Sequence, residues 1–145
     1  MNSWTEIIEY HRWALEQWHP VVPRFQDAER AEKVYSHILR CFAAWLPLLL
    51  EGHDRSMTPH GLDADLEVVF DQLHRASQTD LGRQVPFWKE GEIKAEAVLH
   101  HMLNHQTYHL GHLRGLAEAE GLTDFPDTDR VYFEASRRSD LGSNP

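Results

Sequence analysis

The chain has 145 residues, with 14 Lys plus Arg against 23 Asp plus Glu, a formal net charge of −9, and 41% hydrophobic residues. This length and composition predict a single folded domain over residues 1–145 and exclude wholesale disorder. The acidic balance disfavours nucleic acid as a partner, because a phosphate backbone binds clustered Lys and Arg.

The N-terminal part predicts two amphipathic helices, because apolar residues recur there at spacings of three and four. The first spans about Ser3–Trp18 and opens with a Ser-x-x-Glu capping box. The second runs from an N-cap at Asp27 to about Glu51. Pro47 lies inside it, so a kink or an early end near Leu46 is expected, since proline lacks a backbone donor and clashes with the preceding turn.

The middle of the chain predicts a loop and a third helix. Polar, breaker-rich residues 52–61 are typical of a surface loop. Asp63 is the expected N-cap of a helix that ends near Leu81 or Gly82. One side of this helix carries Leu66, Val69, Phe70, Leu73 and Ala76. The next segment, RQVPFWKEGE at 83–92, is expected to be short and irregular.

The C-terminal part predicts the longest helix and a tail. The fourth helix runs from about Ile93 and closes at Gly121, a favourable C′ glycine. A short helix is expected around Asp129–Ser136, with a frayed tail from about residue 137. Four amphipathic helices, without a convincing alternating strand, predict an all-α antiparallel bundle.

Cysteine use and hydropathy predict a cytoplasmic location. Cys41 is the single cysteine, so no intramolecular disulfide and no thiolate metal cluster can form, which fits a reducing compartment. Glu6 and Glu9 stand where an export signal would carry positive charge. The longest unbroken apolar run, from Cys41 to Leu50, has ten residues and contains Pro47, whereas a membrane-spanning helix needs roughly 20. Neither export nor a membrane partner is predicted.

Histidine is the residue type that indicates a functional site in this sequence. The chain has 11 histidines, and five of them lie between His100 and His112. Residues four apart on a helix have Cβ atoms about 5–6 Å from one another, so His101 with His105, or His105 with His109, can converge on one cation. The spacing alone leaves open which pair binds. A catalytic zinc-type site takes three protein ligands and keeps one open position.

A third ligand must come from another helix, and His37 is the best candidate. It is predicted to share the apolar face of the second helix with Ile38, Cys41 and Trp45, where a polar group needs a partner. On the first helix, His11 could be a fourth ligand, a group that orients a ligand, or a substrate contact. The other side chains expected near the ligands or in the pocket are His101, Tyr108 and His112.

Two other kinds of chemistry fit the sequence less well. A zincin protease has a glutamate as general base after the first histidine of its H-E-x-x-H helix, but Gln106 stands there and cannot accept a proton. A nucleophilic Cys41 with a histidine base is conceivable, yet a lone cysteine on a buried helical face is usually an inert small hydrophobe. We therefore expect neither zincin-type hydrolysis nor cysteine catalysis.

Several segments together resemble the DinB-like (DinB/YfiT) family. The strongest match is HMLNHQTYHLGH, His101 to His112, followed by Pro126, Asp127, Thr128, Asp129 and Tyr132. Two weaker matches are similar to the family's first-helix and second-helix motifs, and they comprise Tyr10-His11-Arg12-Trp13-Ala14 and Ser36-His37-Ile38-Leu39 with Trp45. The resemblance covers most of the chain in the family's order.

This resemblance implies a four-helix bundle of up-down-down-up connectivity that forms a homodimer. It also implies one divalent metal, held by His37 from the second helix and by His105 and His109 from the fourth. Zinc, nickel, iron and manganese all accept imidazole, so the ligand type does not choose among them. Characterised relatives include metal-dependent thiol-S-transferases that use low-molecular-weight thiols such as bacillithiol or mycothiol.

Two functions are therefore open from the sequence. The first is metal-dependent transfer of a low-molecular-weight thiol to a small electrophilic substrate. The alternative is a non-enzymatic dimeric binding or stress-response module in which the metal is structural or absent. A structural metal would be coordinatively closed, with His11 or His101 as a fourth ligand, and its removal would unfold the chain.

Overall fold

The computed structural model describes residues 3–50, 66–87, 89 and 91–142, and of residues 138–142 the backbone alone. Within these ranges the chain forms five α-helices, one short 3-10 turn and a two-stranded sheet. The helices are α1 (Ser3–Trp18), α2 (Ala28–Leu49), α3 (Leu66–Ser77), α4 (Ala95–Ala119) and α5 (Arg130–Gly142). The 3-10 turn is Val22–Arg24, and the strands are β1 (Gln84–Pro86) and β2 (Glu92–Lys94).

The predicted starts and ends of α1 and α2 agree with the structure except at Pro47. Helix α1 has the predicted bounds, and the side chain of Asp27 accepts a hydrogen bond from the backbone N–H of Arg30 at 3.1 Å, as an N-cap does. The early end predicted near Leu46 is wrong, because α2 continues to Leu49. Pro47 lies in the last turn, where its missing N–H removes only one bond of the helix.

Helices α2 and α4 are antiparallel, and one carboxylate joins the start of α2 to the end of α4. Glu120, directly after α4, accepts hydrogen bonds from the backbone N–H groups of Gln26 and Asp27, at 2.7 and 2.9 Å. These N–H groups belong to the N-terminal end of α2, where the helix leaves donors unpaired and favours negative charge. We refer to this arrangement as the Glu120 clamp.

The segment between α3 and α4 contains a β-hairpin that the sequence did not predict. Helix α3 ends at Ser77, before the expected end at Leu81 or Gly82. Strands β1 and β2 pair antiparallel, with Val85 opposite Ile93. Gly91 has φ of 100°, a conformation that favours glycine in the turn. Strands of three residues are too short to give an alternating pattern, so 83–92 was expected to be irregular.

The hairpin also connects the start of α4 to the end of α2. Lys94 occupies the N-cap position of α4 without a side-chain hydrogen bond. Instead, the first two N–H groups of α4 donate to the backbone carbonyls of Arg83 and Leu81, each at 2.9 Å. The guanidinium of Arg83 donates to the carbonyl of Leu49 at 2.5 Å. We refer to this contact between Arg83 and α2 as the Arg83 link.

Helix α4 begins at Ala95 instead of Ile93 and ends as predicted at a C′ glycine. Gly121 has φ of 75° and donates to the carbonyl of Glu118 at 3.0 Å, while Leu122 donates to Ala117 at 2.9 Å, which is the Schellman pattern. Helix α5 continues to Gly142, beyond the expected end at Ser136. The expected fraying of the tail stays a prediction.

The helical class predicted from the sequence is confirmed, with a small sheet added. Large side chains from four helices are almost fully buried in one core, among them Trp18, Tyr35, Phe42, Phe70 and Leu99. The predicted loop at 52–61, the Asp63 cap and the start of the third helix before Leu66 lie outside the described residues. Among the described helices, none has both the length and the apolar character needed to cross a membrane.

Candidate metal centre

Two rows of side chains face each other across α2 and α4. Each row has a spacing of four residues, so its members lie on one side of their helix. Because the helices are antiparallel, the rows pair in opposite order. The pairs are His37 with His109 (ring centroids 4.6 Å apart), Cys41 with His105 (Sγ to Nε2, 3.6 Å) and Trp45 with His101 (ring centroids 4.5 Å apart). We refer to these six side chains as the paired ladder.

The middle of the paired ladder brings metal-binding atoms together. His37, Cys41 and His105 each offer one ligand atom, and these atoms lie within 4.8 Å of one another, close enough to bind a metal ion. Cys41 Sγ lies 3.6 Å from Nε2 of both His37 and His105. His109 extends the cluster, since its Nε2 lies 3.0 Å from Nε2 of His105.

Three of the six separations among these four side chains are close to the edges of a tetrahedral zinc site. With Zn–S of about 2.3 Å and Zn–N of about 2.0–2.1 Å, a tetrahedron places sulfur about 3.5 Å from nitrogen and two nitrogens about 3.3 Å apart. The observed sulfur-to-nitrogen distances of 3.6 Å and nitrogen-to-nitrogen distance of 3.0 Å are close to these values. The donor set, imidazole with one thiol, is one that zinc accepts in proteins.

The electrostatics of the cluster favour neutral imidazoles. Burial, followed by the neighbouring histidines, lowers the pKa of His105 from 6.5 to about 4. Burial and the nearby His37 and His112 also lower the pKa of His109. A neutral imidazole has the free lone pair that a metal needs. Burial raises the pKa of the Cys41 thiol, so metal binding through sulfur would release a proton.

The structure corrects the sequence reasoning about His37 and Cys41. His37 is exposed, and the buried face of α2 instead carries Tyr35, Ile38 and Phe42, so the prediction that His37 shares the apolar face is wrong. His37 is nevertheless brought to His105 and His109. Cys41 is half-buried beside two imidazoles, a contact that the sequence did not predict. Its spacing of four from His37 is the signal that could have identified it.

Three further predicted residues lie around the cluster in different ways. His101 packs between Trp45 and His105, with ring centroids 4.5 and 5.9 Å away. Tyr108 is 75% exposed and meets the ring of His109 edge-on at 5.2 Å. His112 is exposed, and its charge acts on His109. His101 therefore lines the cluster, while Tyr108 and His112 lie at its solvent side.

His11 is not brought to the metal cluster. It is buried on α1, and its backbone carbonyl accepts a hydrogen bond from Nε2 of Gln106 at 2.7 Å. His11 and Gln106 line a cavity that includes none of the four clustered donors. The prediction of His11 as a fourth ligand is therefore wrong, because α1 packs on a different side of α4 from α2. Among the described residues, the donors that lie within 4.8 Å of one another are His37, Cys41 and His105, and His109 lies beside this group, 3.0 Å from His105.

Comparisons with known proteins give no further information about this site. No protein-family model matches the chain, and neither the curated proteins nor the solved structures contain a match.

Proposed function

We propose that this chain is a divalent-metal-binding protein of the DinB-like type. In this proposal His37, His105 and His109 hold the ion, and Cys41 is the fourth donor of the resting site. The observation that carries the proposal is the set of short separations among these four side chains. The four-helix arrangement of α1 to α4 with up-down-down-up connectivity, and the homodimer, belong to the same proposal.

Zinc is the ion we propose first. Thiolate is a soft ligand that suits zinc, and imidazole suits zinc, nickel and iron, whereas manganese prefers oxygen ligands. The sequence alone gave no reason to prefer one of the four candidate metals. The reason to prefer zinc is that Cys41 Sγ lies 3.6 Å from each of two imidazole nitrogens.

We further propose that the protein transfers a low-molecular-weight thiol to a small electrophile. Support comes from the family resemblance and from the exposure of His37, which leaves the cluster open to small molecules. A metal bound there lowers the pKa of a thiol and so supplies thiolate at neutral pH. In the transfer the thiol loses its proton to solvent, sulfur bonds to the electrophilic carbon, and the leaving group departs with the electrons of the broken bond.

In this proposal the chain's own residues position the thiol and its acceptor. His101 packs on Trp45, and Phe87 extends this aromatic surface beside the cluster, with its ring centroid 5.9 Å from that of Trp45. Such a surface favours an acceptor with a flat apolar part. A substrate thiol would take the coordination position that Cys41 would hold in the resting site.

The second candidate is a non-enzymatic module with a structural metal, and one observation favours it. Cys41 Sγ lies 3.6 Å from Nε2 of both His37 and His105, and a fourth protein ligand would close the coordination sphere, as in structural zinc sites. The two candidates differ in what metal removal does. A structural ion contributes folding free energy, so its removal unfolds the chain, whereas a catalytic site survives removal folded and inactive.

The first experiment measures metal content in untagged protein by mass spectrometry. We expect about one zinc per chain, and loss of that metal in separate alanine variants of His37, His105 and His109. His100→Ala is the matched control, because His100 is exposed on the same helix and its ring lies against Trp4 of α1, with centroids 4.7 Å apart. Helical circular dichroism shows that each variant is folded. Metal content that is unchanged by the three substitutions would disprove the assignment.

The second experiment tests the reaction with metal-loaded protein. It measures loss of a small thiol in the presence of a reactive electrophile such as an alkyl halide, with His105→Ala as the metal-free control. A rate above that of the control supports thiol transfer. Bound metal without any rate above the control, combined with unfolding on metal removal, would favour the structural module.

A further inference from the structure

A second candidate site lies between α1, α4 and the segment at 122–129. Three buried side-chain atoms have no hydrogen-bond partner among the described protein groups, namely His11 Nδ1, Trp18 Nε1 and Gln106 Oε1. All three residues line a single cavity of about 140 Å³. Leaving a buried polar group unpaired costs about 1–3 kcal/mol, so a molecule that paired with these three groups would stabilise the fold.

Gln106 provides a fixed acceptor in this cavity. Its Nε2 donates to the backbone carbonyl of His11 at 2.7 Å, and a carbonyl can only accept, which fixes the orientation of the amide. The unpaired atom is therefore the oxygen Oε1. The side chain is fully buried, so bulk water does not solvate this oxygen.

Trp18 provides a fixed hydrogen-bond donor, and Nδ1 of His11 can either donate or accept a hydrogen bond. An indole N–H only donates, and Trp18 is 1% exposed. Burial, followed by the positive charge of Arg130, lowers the pKa of His11 from 6.5 to about 4. The imidazole is therefore neutral at neutral pH, and its Nδ1 accepts or donates according to the tautomer.

The charges of the lining residues and the volume of the cavity limit which ligands it can bind. Arg114 and Asp129 also line the cavity, but Arg114 is already paired with Glu118 at 3.2 Å and with Asp127 at 3.7 Å. Arg114 is the one Lys or Arg among the described lining residues, and Arg130, whose charge acts on His11, is paired with Glu134 at 3.4 Å, so an anion is not favoured. A cavity of about 150 Å³ holds a benzene-sized molecule, so about six non-hydrogen atoms fit in this one.

We propose that this cavity binds a small uncharged molecule that carries an N–H group next to a carbonyl, such as an amide or a lactam. The carbonyl accepts from Trp18 Nε1, and the N–H donates to Gln106 Oε1. Either group can also meet Nδ1 of His11. The cavity includes none of the four candidate metal donors, so this proposal and the proposed metal function fail or succeed separately.

The experiment uses two probes of equal size that differ in one group. 2-Pyrrolidinone is a lactam, and cyclopentanone has the same ring with CH₂ in place of N–H. Each is titrated into ¹⁵N-labelled full-length protein, and the Trp18 indole N–H and Gln106 side-chain resonances are followed. We expect both resonances to shift with the lactam, which should bind at least about tenfold more tightly than the ketone, because the ketone leaves Gln106 Oε1 unpaired.

A pair of glycine variants locates the binding. Gly111 lines the cavity and Gly115 lies one turn further along α4, outside it, and a Cβ at either position meets no atom within 4 Å. Gly111→Leu should therefore fold and fill the cavity, abolishing the lactam response. Gly115→Leu should leave the lactam affinity within about twofold of the parent, since surface changes away from a site have small effects.

Three results would overturn the proposal. The first is equal affinity for the lactam and the ketone, and the second is binding that survives Gly111→Leu. The third is an unchanged Trp18 indole resonance at saturating lactam, together with a crystal structure of the soaked protein that shows only ordered water in the cavity. Any of these would assign the unpaired groups to water.

Discussion

At the residue scale, Cys41 is the side chain whose reactivity depends most on its neighbours. Burial raises the pKa of its thiol, which makes the free side chain a poor nucleophile. Two imidazole nitrogens at 3.6 Å nevertheless place sulfur where a metal would convert it to thiolate. The same side chain is therefore inert without a metal and a strong ligand with one.

Cys41→Ser should lower zinc affinity by at least about tenfold, which corresponds to about 1.4 kcal/mol, because a hydroxyl is a poor zinc ligand. Competition with a chromophoric chelator measures this change. Cobalt-substituted parent protein should show sulfur-to-cobalt charge-transfer absorption that the variant lacks. An identical spectrum in the two proteins would mean that sulfur does not bind the ion.

His11 should make stability depend on pH. Its pKa is 6.5 in an unfolded chain and about 4 in the folded one, so within that window the unfolded chain holds a proton that the folded chain lacks. The free energy of unfolding should therefore fall as pH is lowered from 6.5 to about 4, by roughly 3 kcal/mol at most, and this contribution should be constant above pH 6.5.

His11→Leu isolates that effect, because leucine has a similar size and no titrating group. Urea unfolding at several pH values should give a shallower loss of stability for the variant than for the parent. Carboxylates that titrate in the same range cancel in the difference. Equal slopes in the two proteins would show that His11 is not held neutral by the fold.

At the element scale, the antiparallel pairing of α2 and α4 determines which side chains meet. The Glu120 clamp joins residue 27 to residue 120, and the paired ladder joins residues 37 and 109 further along the same two helices. At about 1.5 Å per residue, both intervals cover a similar length of helix, about 15–17 Å. The clamp therefore helps to set the register at which the imidazoles meet.

Glu120→Ala should lower the free energy of unfolding by about 1 kcal/mol, since it removes two hydrogen bonds from a partly exposed carboxylate. It should also weaken zinc binding a few-fold through the register of the helices. Glu118→Ala is the control, because Glu118 pairs only at the surface with Arg114 in the same helix. Thermal unfolding and zinc titration of both variants test the prediction. Equal effects of the two substitutions on zinc affinity would show that the Glu120 clamp does not set the register of the imidazoles.

Sequence reasoning predicted these elements where the determining signal is local. The Asp27 cap and the glycine at 121 each act within one turn, and both ends agree with the structure. Helix α1 also begins at Ser3, as the Ser-x-x-Glu pattern predicted. The β-hairpin was missed because its strands are stabilised by pairing with each other. The orientation of His37 was missed because periodicity within α2 does not show which neighbour covers which face.

At the scale of the whole molecule, the hydrophobic core and the cluster of candidate metal ligands are separate. The buried core consists of apolar side chains, whereas His37 is exposed and the other donors are half-buried. Histidine spacing predicted the α4 row of the site, but the position of Cys41 opposite His105 follows only from the antiparallel register. Folding free energy should therefore come mainly from the core.

If an ion binds as proposed, its removal by a chelator should leave the protein folded. We expect unchanged helical circular dichroism and a melting temperature that falls only by the amount that ligand binding adds, RT ln(1 + [L]/Kd). Readdition of zinc should restore the original melting temperature. Loss of helical signal on chelation would instead assign the ion a structural role and favour the non-enzymatic module.

The Glu120 clamp and the Arg83 link have a consequence for how quickly an ion is exchanged. The clamp joins the start of α2 to the end of α4. The link joins the end of α2 to Arg83, whose carbonyl accepts a hydrogen bond from the first N–H group of α4, so the candidate ligands between them are arranged before any ion binds. Little chain ordering is left for the binding step. We expect ions to enter and leave without separation of the helices, at a rate governed by solvent access at His37 and by loss of the proton from Cys41.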